Sequence, residues 1–279
     1  MRRLCLCLLG ISLALPALAQ YSADKPLGAS AQSAPAYLKN AGLDQRLGTQ
    51  IPLNLHFRDS TGADAPLGKY FTQKPVALAM VYYKCGMLCP QVLHGLANSL
   101  AQTGYAPLHD YDVIVASIDP TDTPADAAAA QQKFVSQLGE DVPAESVHFL
   151  TGAEPEITAL ASSIGFHYVR VPGPDGKMTQ FAHSSVIMVA TPEGKLSKYL
   201  TGVEYQPRDL RLALLEASDH RIGSPTDLIL LYCCNYSPGE GRYTVSVLRV
   251  LGLAGMASVF GLAAMLYLLG RKLKVNSAA

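Results

Sequence analysis

The residues best suited to chemistry are Cys85 and Cys89, in the run Tyr83-Lys84-Cys85-Gly86-Met87-Leu88-Cys89-Pro90. They are four residues apart, so a helical or near-helical turn puts both sulfurs on one side. Cys89 falls where a helix should begin, and the free N–H groups and dipole of a helix N-terminus favour a thiolate. Lys84 adds a positive charge nearby. Two close thiols of this character can cycle through a disulfide or bind a soft metal such as Cu(I). A purely structural bridge is the third reading, although open α/β sheets place their sites at the C-terminal ends of central strands, where this turn falls.

A metal here needs a further ligand, and His is the usual one. His183 opens the apolar stretch Ser184-Ser185-Val186-Ile187-Met188-Val189, after a Gly/Pro-rich loop. At the mouth of a strand it can face a neighbouring strand's turn; a plain loop histidine is the other reading. His94, five residues beyond Cys89, should project away from the turn. His56, His109, His148, His167 and His220 have no motif context. Met87 offers either a thioether or a gap-filling side chain.

The elements that must position these groups read as one α/β domain. Residues 47–57 alternate weakly around Pro52, as a short edge strand does, and Asp59-Ser60-Thr61-Gly62 makes a turn. Residues 76–83 form a continuous apolar run, the signature of a buried central strand. Residues 90–100 place Val92, Leu93, Leu96 and Leu100 on one helical face. A second buried strand over 111–118 follows. Thr123 then caps a helix with Pro124 at its first position and Asp126 in its first turn. A strand at 147–150, a helix over 155–164 ended by Gly165, and an extended stretch at 166–171 come next. Residues 183–190 and 196–200 form a hairpin around Pro192-Glu193-Gly194, and 207–217 is a closing helix. Alternating strands and helices followed by a hairpin predict a layered α/β fold around a central sheet.

Three of these motifs together resemble the Sco/SenC family. They are the strand with Cys85-x-x-x-Cys89-Pro90, the stretch Ser117-Ile118-Asp119-Pro120-Thr121-Asp122-Thr123-Pro124, and His183-Ser184-Ser185 with its strand and hairpin. The resemblance covers about residues 43–217. It implies a thioredoxin-like fold and copper, as Cu(I) or Cu(II), held by Cys85, Cys89 and His183. It also implies a role in delivering copper to, or assembling, the CuA centre of cytochrome c oxidase. Asp119 is then either a supporting residue beside the ligands or a turn-former ahead of the helix cap. The chain departs from the family pattern at Gly86, where a Pro is usual, at Ala182, where an Asp usually precedes the His, and at Lys84, where a Thr is common.

The ends belong to a membrane. Residues 1–19 have a basic start, an apolar run and an Ala-x-Ala exit, as a cleaved secretory signal does, and Cys5 and Cys7 leave with it. Residues 250–270 carry no charge and are followed by Arg271, Lys272 and Lys274. That describes a C-terminal membrane-spanning helix with a cytoplasmic basic flank. The expected organisation is a signal (1–19), a flexible lead-in (20–42), the domain (43–220), a juxtamembrane segment (221–246), the transmembrane helix (247–270) and a cytoplasmic tail (271–279). The expected location is the cytoplasmic membrane of a bacterium, crossed once, with the main domain on the periplasmic side.

The whole-chain composition makes sense in that light. The 279 residues are 49% apolar and only 16% charged, with 22 basic and 22 acidic residues, and the mean hydropathy is +0.17. All 22 acids but only 16 basic residues lie between Gln20 and Arg242, so the body is acidic, at −6. Lack of a basic excess argues against a nucleic-acid partner. The expected partners are a cytochrome c oxidase subunit or another copper protein, and the membrane. No bond-making step is required of such a carrier. If the protein is an enzyme, it is a thiol–disulfide oxidoreductase acting through Cys85 and Cys89. Cys233 and Cys234, just ahead of the membrane helix, are left without an assigned role.

Overall fold

The computed structural model describes residues 40–139, 142–173, 176–219 and 225–276. The signal, all but the last three residues of the lead-in, His220 and the end of the tail lie outside them.

A five-stranded sheet organises the domain, in the order β10-β9-β4-β5-β6. Strands β4 (Val76–Val81) and β5 (Asp112–Ser117) run parallel at its centre, and every residue of both is buried. Their near-unbroken apolar sequences suit strands covered on both faces. Strand β6 (Val147–Leu150) extends the parallel half. On the other side, β9 (Val186–Ala190) runs antiparallel to β4, and β10 (Leu196–Thr201) returns beside it.

Helices α1 (Cys89–Ala101), α2 (Pro124–Leu138) and α4 (Pro207–Ala217) pack against this sheet and one another, while α3 (Glu154–Ser163) packs on β7 (Phe166–Val171). Helix α1 buries Val92, Leu96 and Leu100, the face its periodicity predicts, and leaves His94 exposed. Helix α2 begins with a capping box: the Thr123 hydroxyl accepts from the Asp126 N–H, while the Asp126 carboxylate accepts from the Thr123 N–H. Gly165 ends α3 with φ +66°, the left-handed conformation glycine adopts freely.

Two expectations change. Residues 47–55 form turns and an isolated bridge from Gln50 to Lys195; the strand β2 is only His56–Arg58, hairpinned with β3 (Asp64–Pro66). Pro52 can donate no ladder hydrogen bond, which explains the interruption. His183 does not open the strand that follows it. It ends β8 (Gln180–His183), and the chain breaks at Ser184-Ser185 before β9. Strand β8 belongs to a separate three-stranded sheet with β7 (Phe166–Val171) and the short β1 (Gly42–Leu43).

The segment before the long apolar C-terminal helix is folded onto the domain. Helix α5 (Pro225–Cys233) and the hairpin β11 (Cys234–Ser237) to β12 (Arg242–Val245) occupy it. Arg211 of α4 donates to both oxygens of Asp227, at 2.7 and 2.6 Å. The Tyr236 hydroxyl donates to the Tyr199 carbonyl at 2.5 Å, and the Tyr243 hydroxyl donates to Glu216, which also accepts from the buried Lys198. Cys234 is buried and Cys233 half-buried, and both are free thiols. Helix α6 (Val247–Asn276) follows. Its stretch Val247–Tyr267, with a mean hydropathy of 1.9, is the one helix among the described residues long and apolar enough to cross a membrane.

Candidate metal centre

The site forms where the C-terminal end of β4 meets the end of β8. Beyond Val81 the chain turns through 82–88, and α1 starts at Cys89 with Pro90 in its first turn. Cys89 is 2% exposed, Cys85 is half-buried, and both are reduced. The Cys89 sulfur lies 3.3 Å from Nε2 of His183. The other ring nitrogen, Nδ1, lies 2.9 Å from the Ser184 carbonyl. A carbonyl only accepts, so Nδ1 carries the ring proton and Nε2 turns its lone pair toward Cys89. That tautomer is the one a metal ligand needs.

Packing holds the imidazole in place. Its ring centroid is 5.5 Å from that of Phe166 and 6.5 Å, edge-on, from that of Tyr82, which in turn packs at 5.2 Å on Phe181. Neighbouring strand residues point to opposite faces, so Ala182 faces away from the ring of His183. The ring's orientation comes from the Ser184 carbonyl and these aromatic groups.

The thiolate belongs to Cys85, the reverse of the assignment that helix position alone suggests for Cys89. A hydrogen bond from Cys89 does most to hold the Cys85 thiol well below its ordinary range. Burial opposes this, and the Tyr82 hydroxyl and the N–H groups of Cys89 and Met87 add to the lowering. Cys89 moves the opposite way: its hydrogen bond to Cys85 and its burial both raise it, and its one proton faces two acceptors, the Cys85 sulfur and Nε2 of His183. Lys84 is engaged elsewhere. Its ammonium lies 3.0 Å from Asp126 and 3.6 Å from Asp122, aimed at the start of α2.

The Ser117–Pro124 stretch is the buttress of the turn. The buried Asp122 carboxylate accepts from the Tyr83 N–H at 2.8 Å and the Ser117 hydroxyl at 2.6 Å, tying the ends of β4 and β5 together. Asp119 accepts from the N–H and hydroxyl of Thr121, at 2.9 and 2.8 Å, which is a turn-forming role. Tyr83 donates through its hydroxyl to the carbonyls of Val115 and Leu150. Nothing in the sequence marks Asp122's task, and the apolar character of Tyr82, Phe166 and Phe181 signals only a core.

Cys85, Cys89 and His183 are thus brought together as a chain of contacts, Cys85 to Cys89 to His183. Among the described residues no three His, Cys, Asp or Glu side chains already converge as a finished metal cage. Two soft sulfurs and one neutral imidazole suit copper, and a bound ion would take the place of the Cys89 proton. Met87 stands exposed at the tip of the turn, and Gly86 has open space around it with no positive φ. Of the other histidines, His56, His109 and His167 pair with Asp64, Asp110 and Asp44, and His148 packs against Tyr70. A cavity of about 270 Å³ adjoins Cys89, lined by Tyr82, Leu93, Ala130 and Phe134 among others.

The SCO1/SenC family model matches residues 56–216. Among solved structures, a proposed electron-transfer protein from Aquifex aeolicus VF5 superposes with a TM-score of 0.55 at 24% identity. That match covers 63% of this chain and 96% of that one. Arabidopsis thaliana ScoI, determined with copper bound, superposes with a TM-score of 0.50 at 21% identity, covering 60% and 97%. These likenesses establish the thioredoxin-like fold. No curated protein matches the chain.

Proposed function

We propose, from the premise that this chain belongs to the SCO1/SenC family, that it is a membrane-tethered copper-binding protein. Copper is held by Cys85, Cys89 and His183 and passed on in the assembly of the CuA centre of cytochrome c oxidase. The observation that carries this reading is the lone pair of His183 Nε2 turned toward the Cys89 sulfur at 3.3 Å. A thiol pair built only for redox exchange has no need of that lone pair. Copper bound to the Arabidopsis relative points the same way. The apolar stretch Val247–Tyr267 supplies the tether, with the domain on the periplasmic side of a bacterial inner membrane.

The chain's own residues do three things in this scheme. Ser184 and the aromatic groups fix the imidazole, the Cys85 environment supplies a thiolate at neutral pH, and the Asp122 clamp holds the turn that carries both sulfurs. Copper supplies the cargo. The test is titration of the reduced full-length protein in detergent with Cu(I) and Cu(II). Wild type should bind about one equivalent, and His183→Ala should bind at least about tenfold more weakly, the lower end of the range for disturbing a metal site. Equal affinity in the two proteins would reject the three-ligand arrangement.

One observation favours a second reading, reduction of the oxidase's cysteines through Cys85 and Cys89. An accessible, acidic thiol beside a buried partner is the arrangement of a thiol–disulfide oxidoreductase. Such activity would survive His183→Ala, and a very low reduction potential for the pair would exclude it.

A further inference from the structure

Helix α5 has two unlike faces. Asp227 and Leu231 point inward, to Arg211 and the core, and Cys234 just beyond continues that line. On the other side Leu228, Ile229, Leu230 and Tyr232 are 45, 58, 39 and 54% exposed. Thr226 is the only other exposed residue described on this helix, so its outer side carries no charge. A water-facing helix normally carries charge there, and a contiguous exposed apolar patch marks an interaction surface.

This patch is continuous with the start of α6. The Ser246 N–H donates to the Cys233 carbonyl at 2.7 Å, and Arg249 donates to the Tyr232 carbonyl at 2.9 Å. The Arg249 guanidinium also lies 5.5 Å from the centre of the Tyr232 ring. Residues 250–270 are uncharged. At about 1.5 Å per residue they span about 31 Å, close to the roughly 30 Å of a bilayer's hydrocarbon core. If they fill that core, Arg249 stands at its edge, and Tyr232 must stand at the same depth. Tyrosine is enriched at that level. Leu228 and Ile229, one turn back on the same side of α5, then meet lipid.

We propose that α5 lies in the headgroup–acyl boundary of the bilayer that α6 crosses, with Leu228, Ile229 and Tyr232 in contact with phospholipid. The inference rests on α6 being a membrane anchor. Asp227 and Arg211 hold the opposite face of α5 to the domain, so the domain itself is seated on the membrane surface through this helix.

The chain contains no Trp, so a single introduced one is a unique reporter. Full-length Ile229→Trp, Leu228→Trp and Phe260→Trp proteins are reconstituted in phosphatidylcholine vesicles, with and without bromine, placed near the top of the acyl chains for the two α5 reporters and near the chain ends for Phe260→Trp. The expected result is blue-shifted emission, lost on bromination, at all three positions; two positions on α5 guard against a local folding defect in either. Phe260→Trp quenched while both α5 reporters emit as in water and escape quenching would overturn the proposal and leave the anchor standing. Blue-shifted but unquenched α5 reporters would also overturn it, showing that protein covers the patch. An unquenched Phe260→Trp would overturn the anchor and the proposal together.

Discussion

The Cys89 sulfur and His183 Nε2, 94 residues apart in sequence, stand 3.3 Å apart, one at the head of the helix that follows the five-stranded sheet's β4 and the other at the end of a strand of the three-stranded sheet. Neither residue is placed by its own neighbours alone. Cys89 is fixed by the end of β4 and the start of α1, and His183 by the end of β8 and the rings of Phe166 and Tyr82. Several consequences of that placement are measurable.

Alkylation should separate the two thiols. Cys85 is partly exposed and held below the ordinary thiol range by its hydrogen bonds, whereas Cys89 is buried and raised. A lowered value means that the thiolate, and hence the reactivity, persists as pH falls. Iodoacetamide labelling mapped by mass spectrometry at pH 6 should modify Cys85 well ahead of Cys89. In Tyr82→Phe the labelling of Cys85 should need a higher pH. Faster labelling of Cys89 would contradict the assignment.

Asp122→Ala should loosen the turn. It leaves the Tyr83 N–H without its acceptor and the Ser117 hydroxyl with only a long contact to the Asp119 carbonyl, at 3.4 Å. A buried polar group left unpaired costs about 1–3 kcal/mol, so the thermal midpoint should drop by several degrees. Copper affinity should fall with it, although Asp122 touches neither sulfur. An unchanged melting curve would show that the clamp is dispensable.

The Asp126 cap predicts a pH dependence of stability. Its carboxyl is held down to about 2, first by the Thr123 hydroxyl, then by the Thr123 N–H and Lys84. The unfolded chain therefore takes up this proton before the folded one does. The stabilisation is full above about pH 4 and drains away as pH falls toward about 2. Asp126→Ala should cost about 1 kcal/mol at neutral pH, because it removes the N3 half of the capping box that Thr123 heads. The gap between variant and wild type should close toward pH 2 in denaturant titrations; a constant gap would assign the effect to something other than charge.

Glu216→Ala should release the hairpin β11–β12. Glu216 accepts from Lys198, itself 8% exposed, and from the Tyr243 hydroxyl. Removing it strands a nearly buried ammonium, a loss of about 2–3 kcal/mol after discounting for the partly exposed carboxylate. Limited proteolysis should then cut within residues 234–245, where wild type resists.

Gly86→Ala should be harmless or mildly stabilising. The position has open space and no positive φ, so a side chain narrows only the unfolded ensemble, worth about 0.4–1 kcal/mol. A drop in the melting temperature would show that the turn needs glycine.

Much of this was legible in the sequence. The unbroken apolar run of β4, the Thr123-Pro124-Ala125-Asp126 cap and Gly165 each carry a local signal, and each element appears where that signal places it. The Cys pair and His183 were named from types, spacing and resemblance. What the sequence hid is what depends on distant partners. Lys84 looks like a neighbour of the thiols but is drawn to Asp126 and Asp122. Cys89 heads a helix, yet burial and its bond to Cys85 outweigh the dipole there. The break at Ser184-Ser185 interrupts an apolar run that reads as continuous with His183. The folded segment 225–245 has its partners in α4 and β10, which no pattern within it announces.

The division of the site between the head of α1 and the end of β8 has a thermodynamic consequence. An ion bonded to both Cys89 and His183 closes a loop of 94 residues, more than half of the span matched by the family model. Such a cation is a cross-link as well as a ligand. By mass action, a ligand at a thousand times its Kd adds about 4 kcal/mol to the folded state. Loading and unloading this protein is therefore a cycle of stiffening and relaxing. In the proposed role, whatever accepts the ion must supply the free energy by which the loaded form is the more stable of the two.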